Sequence, residues 1–276
     1  MDEPLPFQLT ASDQLGGYRE WRLSSPALSF VDAGWIYHTG ADPQPHRVLP
    51  DACPSLIIRI VRNALGDATD TGLWVVGGDI KASWYRPRPF ETMIGLRVKP
   101  EQAAGTLDLF PPDYRQNRLP APEKLARHMR RLVDMAHAHD PMDVLRRLCL
   151  DAAAYARDAD ARSEQYLAGI IRRSCGQAVI RDLVKELGFS ERTVRRRFRD
   201  ATGVNPKAYA RMARLNALTL AADRLIKPDW AGLAAEFQYF DQSHLIRECL
   251  AFAGITPARL HAERREEAEI SNILAA

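Results

Sequence analysis

Residues 179–206, "VIRDLVKELGFSERTVRRRFRDATGVNP", return in degenerate form at 230–257 as "WAGLAAEFQYFDQSHLIRECLAFAGITP". Leu233 and Ala234 stand for Leu183 and Val184, Leu245 for Val194, Arg247 for Arg196, and "GITP" for "GVNP". In the first copy Ile180, Leu183, Val184 and Leu187 share one helical face, and Gly188 follows them as a residue that tolerates a left-handed turn. Ser190 then occupies an N-cap position, where its hydroxyl can accept a bond from an otherwise unpaired N–H of the next turn. Val194, Phe198 and Ala201 recur at i, i+4 and i+7. The pattern predicts helix, tight turn, helix, and predicts it twice.

Between the copies, Asn205 is the expected N-cap and Pro206 the first residue of a helix running to about Ile226, ahead of Pro228. Such a rod of roughly twenty residues spans ~30 Å, close to the ~34–36 Å between successive major-groove faces of B-DNA. Two such units on one rigid helix would let a single chain address adjacent groove segments.

The second helix of the first copy carries five arginines, Arg192, Arg195, Arg196, Arg197 and Arg199, in eight positions. At about 100° per residue, Arg192, Arg195, Arg196 and Arg199 form one stripe opposite Val194 and Phe198. An ordinary solvated face would look similar, because Glu191 and Asp200 lie four residues from Arg195 and Arg196 and exposed ion pairs of that kind are worth only ~0.3–0.5 kcal/mol. Context favours nucleic acid. The stripe lies on the second helix of a helix-turn-helix, the element that enters the major groove, where a guanidinium can pair bidentately with guanine. Charge is also uneven along the chain. Residues 1–169 hold 20 Lys+Arg against 22 Asp+Glu, whereas residues 170–276 hold 18 against 13.

The N-terminal half has a different period. "SLIIRIVR" (55–62) alternates, with Leu56, Ile58 and Ile60 on one face and Arg59 and Arg62 on or beside the other, and "LWVVGGDIKASWY" (73–85) and "TMIGLRV" (92–98) are similarly β-rich. Gly77 and Gly78 suggest a bulge within a strand. From Leu125 the period becomes helical through Met129, Leu132, Val133 and Ala136, and a second helix covers about Met142 to Arg157. These two helices are expected to pack on their own β-domain, with another subunit as the alternative. The charged run "RDADARSE" (157–164) reads as a junction.

The expected architecture is therefore α+β. An antiparallel β-rich sensing or assembly domain, curled toward a barrel, occupies residues 1–122, and a helical connector occupies 123–162. An all-α domain follows over 163–268, with helix-turn-helix units at about 179–202 and 229–252 and a linker helix at 206–226.

Residues from about Ser163 to His261 resemble the C-terminal DNA-binding domain of the AraC/XylS family of bacterial transcription regulators. "FDQSHLIRECLAFAGITPARL" is the most specific part, and "HRVLPDACPSLIIRI" (46–60) and "IGLRVKPEQAAGTL" (94–107) resemble more weakly the sensor-like β-domain of one subgroup. The resemblance implies a sequence-specific regulator with Arg192, Arg195, Arg196, Gln242, Ser243 and Arg247 facing bases. Arg199 and Lys207 are expected on phosphates. Promoter DNA is the implied partner, with RNA polymerase, a small-molecule effector and a second copy of the chain as further expected partners. Two positions depart from the family. Gln238 stands at a turn where glycine is usual, and Cys249 stands where a large aromatic is usual, so the second unit is expected to contribute less affinity than the first.

No catalytic set emerges, and no cofactor or enzymatic activity is expected. "VVGGDI" lacks the spacing and the GK[ST] ending of a phosphate loop. Cys53, Cys149, Cys175 and Cys249 are far apart and read as free thiols. His46, Asp51 and Cys53 share a loop, but such residues are more often surface or core positions than metal ligands. Neither a leader pattern nor an apolar run approaching the ~20 residues of a membrane helix is visible, so a cytoplasmic protein with no membrane partner is expected. The aromatics Trp35, Tyr37, Trp74, Trp84, Tyr85 and Phe90 would line a pocket or simply form the core of the β-domain, and Arg47, Arg59, Lys81, Arg86, Arg88 and Arg97 are the cations available to an anion there.

Overall fold

A computed structural model describes residues 8–15, 17–78, 80–109, 118–156 and 163–274. Seven strands form one antiparallel sheet in the order β1-β2-β3-β8-β5-β6-β9. These are β1 (Gln8–Leu15), β2 (Tyr18–Ser24), β3 (Val31–His38), β5 (Ser55–Arg62), β6 (Ala68–Val76), β8 (Glu91–Val98) and β9 (Arg118–Pro120). A separate two-stranded ribbon pairs β4 (His46–Val48) with β7 (Ser83–Tyr85), placing Arg47 opposite Trp84. The large sheet is open. No pairing joins its edge strands β1 and β9 among the described residues, so the expected curl does not close a barrel.

Strand β5 occupies Ser55–Arg62 as its alternation predicts, yet all six of its internal residues are buried. Arg59 is among them, contrary to the expectation of a polar face. It donates through Nε to Glu91 and through Nη1 to Asp70 at 3.2 Å. Glu91 is itself buried and also accepts from Tyr85 Oη at 2.6 Å and Arg88 N at 3.0 Å, so both charges are paired and their desolvation is offset. One face of the sheet builds the main core with Leu56, Ile58, Ile60, Ile94 and Leu96, while Trp35, Ile57 and Met93 form a smaller cluster on the other. Gly77 and Gly78 do not sit in a bulge. β6 ends at Val76, and Gly78 lies so close to the Ala52 carbonyl that a Cβ would fall 2.0 Å from it.

Helix α1 (Pro100–Leu107) follows β8 directly. The connector then gives α2 (Glu123–His128), α3 (Arg130–Ala136) and α4 (Pro141–Tyr155). Its first helix is thus split at Met129, although Leu125, Met129, Leu132 and Ala136 are all buried as their spacing predicts. They join the same core as the sheet, with Leu145, Leu148, Cys149 and Ala152 of α4. Most of the charged run at 157–164 lies outside the described residues.

The remainder is helical: α5 (Ser163–Arg173), α6 (Ile180–Glu186), α7 (Glu191–Thr202), α8 (Pro206–Asp223), α9 (Trp230–Glu236), α10 (Gln242–Ala253) and α11 (Pro257–Leu274). α8 stops three residues short of the expected Ile226, with Arg224 as its C-cap. No helix among the described residues is long and apolar enough to cross a membrane.

Candidate nucleic-acid interface

Each helix-turn-helix is built from local rules that the chain obeys. In the first, α6 ends ahead of Gly188, whose φ of +67° is the left-handed turn that glycine makes without strain. Ser190 caps α7, accepting from Thr193 N at 3.2 Å, and Gly203 closes it with φ +75°. Val194 and Phe198 are buried, Phe198 meeting the Tyr209 ring edge-on at 5.6 Å. In the second unit Asp241 caps α10 by accepting from His244 N at 2.6 Å, and Gly254 closes it with φ +76°. Leu245, Cys249 and Phe252 are the buried stripe there. Burial pushes the Cys249 thiol up to about 12, which keeps it protonated and chemically quiet.

The second helices of both units, α7 and α10, share one hydrophobic cluster with α8, through Met212, Leu215 and Leu218. Asn205 caps α8 by accepting from Ala208 N at 2.8 Å. At about 1.5 Å per residue its eighteen residues span ~27 Å. Arg214 of this helix donates to Gly176 O at 2.9 Å, ahead of the first unit, and to Gln238 O at 3.2 Å, in the turn of the second. Gly176 permits this approach because a Cβ there would sit 2.0 Å from Ala210 O. Arg211 grips Glu248 of α10 with both forks, at 2.6 and 2.8 Å, and lies over the Phe252 ring at 4.9 Å. None of these positioning contacts is visible in the one-dimensional pattern. The only hint was two arginines three residues apart on a helix otherwise rich in alanine and leucine.

The structure places Arg192, Arg195, Arg196 and Arg199 on the exposed side of α7, and Gln242, Ser243 and Arg247 on the exposed side of α10. Lys207 is exposed on the first turn of α8. Arg195 is held by Glu191 at 2.5 Å, and Arg197 lies over Phe189 at 4.6 Å. Among the described residues Arg192, Arg196, Arg199 and Arg247 have no acidic partner within ion-pair distance. Two clusters of donors on helices held by the same linker, largely free of internal partners, suit an extended polyanion. Gln238 does adopt the left-handed conformation, at φ +55°, so the strain expected from a non-glycine residue there is present.

The N-terminal cations are more committed. Arg47, Arg59 and Arg97 each pair with a carboxylate, Arg97 with Glu20 and Asp32, both at 2.9 Å. Arg88 lies 3.5 Å from Asp70. His46 approaches Tyr37 Oη at 3.4 Å, and Asp51 accepts from Cys53 N at 2.9 Å. No group of three or more His, Cys, Asp or Glu side chains is placed to hold a metal among the described residues.

Residues 183–263 match the model of a helix-turn-helix domain family. No curated protein matches the chain. Similar solved structures include the crystal structure of ToxT from Vibrio cholerae O395, at 6% identity, 83% coverage of this chain, 96% of that chain and a TM-score of 0.43. A 1.65 Å structure of ToxT from Vibrio cholerae covers 83% and 97% at 8% identity and TM-score 0.44. The unsaturated fatty acid bound wild-type ToxT of strain SCE256 covers 82% and 93% at 9% identity and TM-score 0.42. Likeness at that level bears on neither mechanism nor ligand.

Proposed function

We propose that this chain, whose residues 183–263 form a helix-turn-helix domain of the AraC type, is a sequence-specific DNA-binding transcription regulator. One observation carries the proposal. Two capped reading helices are fixed in a common core by a single linker helix, and both leave their polar faces uncovered.

In this reading Arg192, Arg195 and Arg196 of α7 and Gln242, Ser243 and Arg247 of α10 address base edges, while Arg199 and Lys207 neutralise phosphates and fix register. The first unit supplies most of the affinity because its helix carries more cations. The second follows the strained turn at Gln238, carries Arg247 as the one Lys or Arg of its helix beside the polar Gln242 and Ser243, and supplies discrimination. The open sheet serves as the sensing or assembly half. A small-molecule effector is best sought at the aromatic cluster of Trp35, Tyr18, Tyr37 and Tyr85, on the face of the sheet away from the main core.

Selection of bound duplexes from a random pool with the purified chain tests the proposal. A consensus with two half-sites is expected, and random duplex should compete poorly against it. Equal competition by random duplex would sink sequence-specific regulation, leaving the cationic stripe to nonspecific DNA or to an acidic protein surface.

A further inference from the structure

The last turn of the second reading helix is closed by the other half of the molecule. The ribbon β4–β7 and its flanks reach across to it at several points. Arg47 Nη1 donates to Ala253 O at 2.8 Å, and Arg47 Nε meets Glu263 of α11 at 3.1 Å. Trp84, opposite Arg47 in the ribbon register, lies under the guanidinium at 4.7 Å. Ala82 N donates to Phe252 O at 2.7 Å, so two successive carbonyls of the final turn are bonded by the ribbon. Asn216 of α8 donates to Pro50 O at 2.8 Å, and Ala52, Leu49 and Ile80 pack into the cluster that holds both reading helices.

We infer that the β4–β7 ribbon is a working part of the second reading unit, with Arg47 as the positioning residue that fixes α10 across the domain boundary. The orphan carbonyls at a helix C-terminus need partners, and a cation there also complements the helix dipole. Arg47 provides both and is itself oriented by Glu263 and Trp84. The contact lies at the C-terminal end of α10, whereas Gln242, Ser243 and Arg247 stand exposed toward its N-terminal end, where base contacts are made. The ribbon therefore holds the helix without covering its reading face. Its effect is preorganisation: the orientation needed on DNA is set before binding.

The inference rests on the DNA-binding proposal only for its functional consequence, and two measurements separate them. The first needs no DNA. In full-length R47A, thiol reagent should modify Cys249, buried one turn before the contact, roughly tenfold faster than in wild type, while Cys149 in the other core keeps its rate. The second uses a selected duplex and a version with the second half-site scrambled. R47A should weaken the intact duplex by roughly tenfold, the scale of one charge-assisted hydrogen bond, and leave the scrambled one unchanged. E263Q, on the opposite side of the boundary, should give a smaller loss of the same kind. Equal loss on both duplexes would mean general destabilisation and overturn the inference. So would unchanged Cys249 reactivity, or tighter binding by R47A, which would make the ribbon a brake. Wild type that selects no duplex would instead defeat the DNA-binding proposal, with the thiol result still deciding whether Arg47 fixes α10.

Discussion

Arg196→Ala is the sharpest probe of the proposed reading face. At about 100° per residue, Arg196 lies roughly 190° around α7 from the mean direction of Val194, Phe198 and Ala201, farther from the core than Arg195, at roughly 90°. It also has no acidic partner among the described residues, whereas Arg195 is engaged by Glu191 at 2.5 Å. A bidentate guanine contact is worth ~1–3 kcal/mol, so R196A should weaken a selected duplex by about 5- to 160-fold and relax preference at one base pair. Freeing Arg195 from its exposed ion pair takes back ~0.3–0.5 kcal/mol, so R195A should lose about twofold less. Fluorescence anisotropy titrations between about 50 and 200 mM salt separate base contacts from phosphate contacts. R196A should keep the wild-type salt slope, while Arg199→Ala should lower it by about 0.9. If R196A lowers the slope by about one and leaves every base preference intact, Arg196 rests on a phosphate. If neither substitution changes binding, this face of α7 does not meet DNA.

Three further substitutions test the scaffold. Gln238→Gly should raise the melting temperature by relieving up to ~1–2 kcal/mol of left-handed strain, checked by calorimetry; an unchanged or lower value would show that Gln238 is not strained. Asp241→Ala removes the cap of α10 and should cost about 0.5–2 kcal/mol in denaturant unfolding, with the second half-site losing protection first. Asp51 is raised to about 6 by burial, opposed by Arg97, whose guanidinium also serves Glu20 and Asp32. Because its folded-state pKa lies above the unfolded value of 3.8, the stability linked to its protonation is present below that value and is lost as pH rises through about 6. Asp51→Asn should therefore raise the melting temperature at pH 7.5, and the gain should vanish toward pH 4; the side chain is 36% exposed, so solvent screening moderates the effect. A gain independent of pH would refute the assignment to Asp51.

The helix-turn-helix units were legible because their signals are local. Ser190, Asn205 and Gly188 each perform at the backbone the task that their type and position imply, and Leu245, Cys249 and Phe252 are buried as their spacing requires. Strand β5 was legible in extent but not in environment. Alternation marks one apolar face, while the burial of Ile57 and Arg59 depends on what covers the second face from elsewhere in the chain. The split at Met129 and the early end of α8 reflect terminal and kink energetics too small to leave a strong residue signature. In the sequence Arg47 is one of several cations available to an anion. Its partners, Ala253 O and Glu263, are 206 and 216 residues away, and no periodicity encodes contacts at that distance.

The unbroken course of α8 from Pro206 to Asp223 restricts how a chain of this design can diverge. One residue inserted between Arg214 and Asp223 would swing everything beyond by about 100° and advance it by only ~1.5 Å, pulling Arg211 away from Glu248 and Arg214 away from Gln238. Length changes are therefore tolerable in the turns but, inside this axle, only in steps near a whole helical revolution. The permitted gaps between the two halves of a target site should come in discrete classes, never as a continuum.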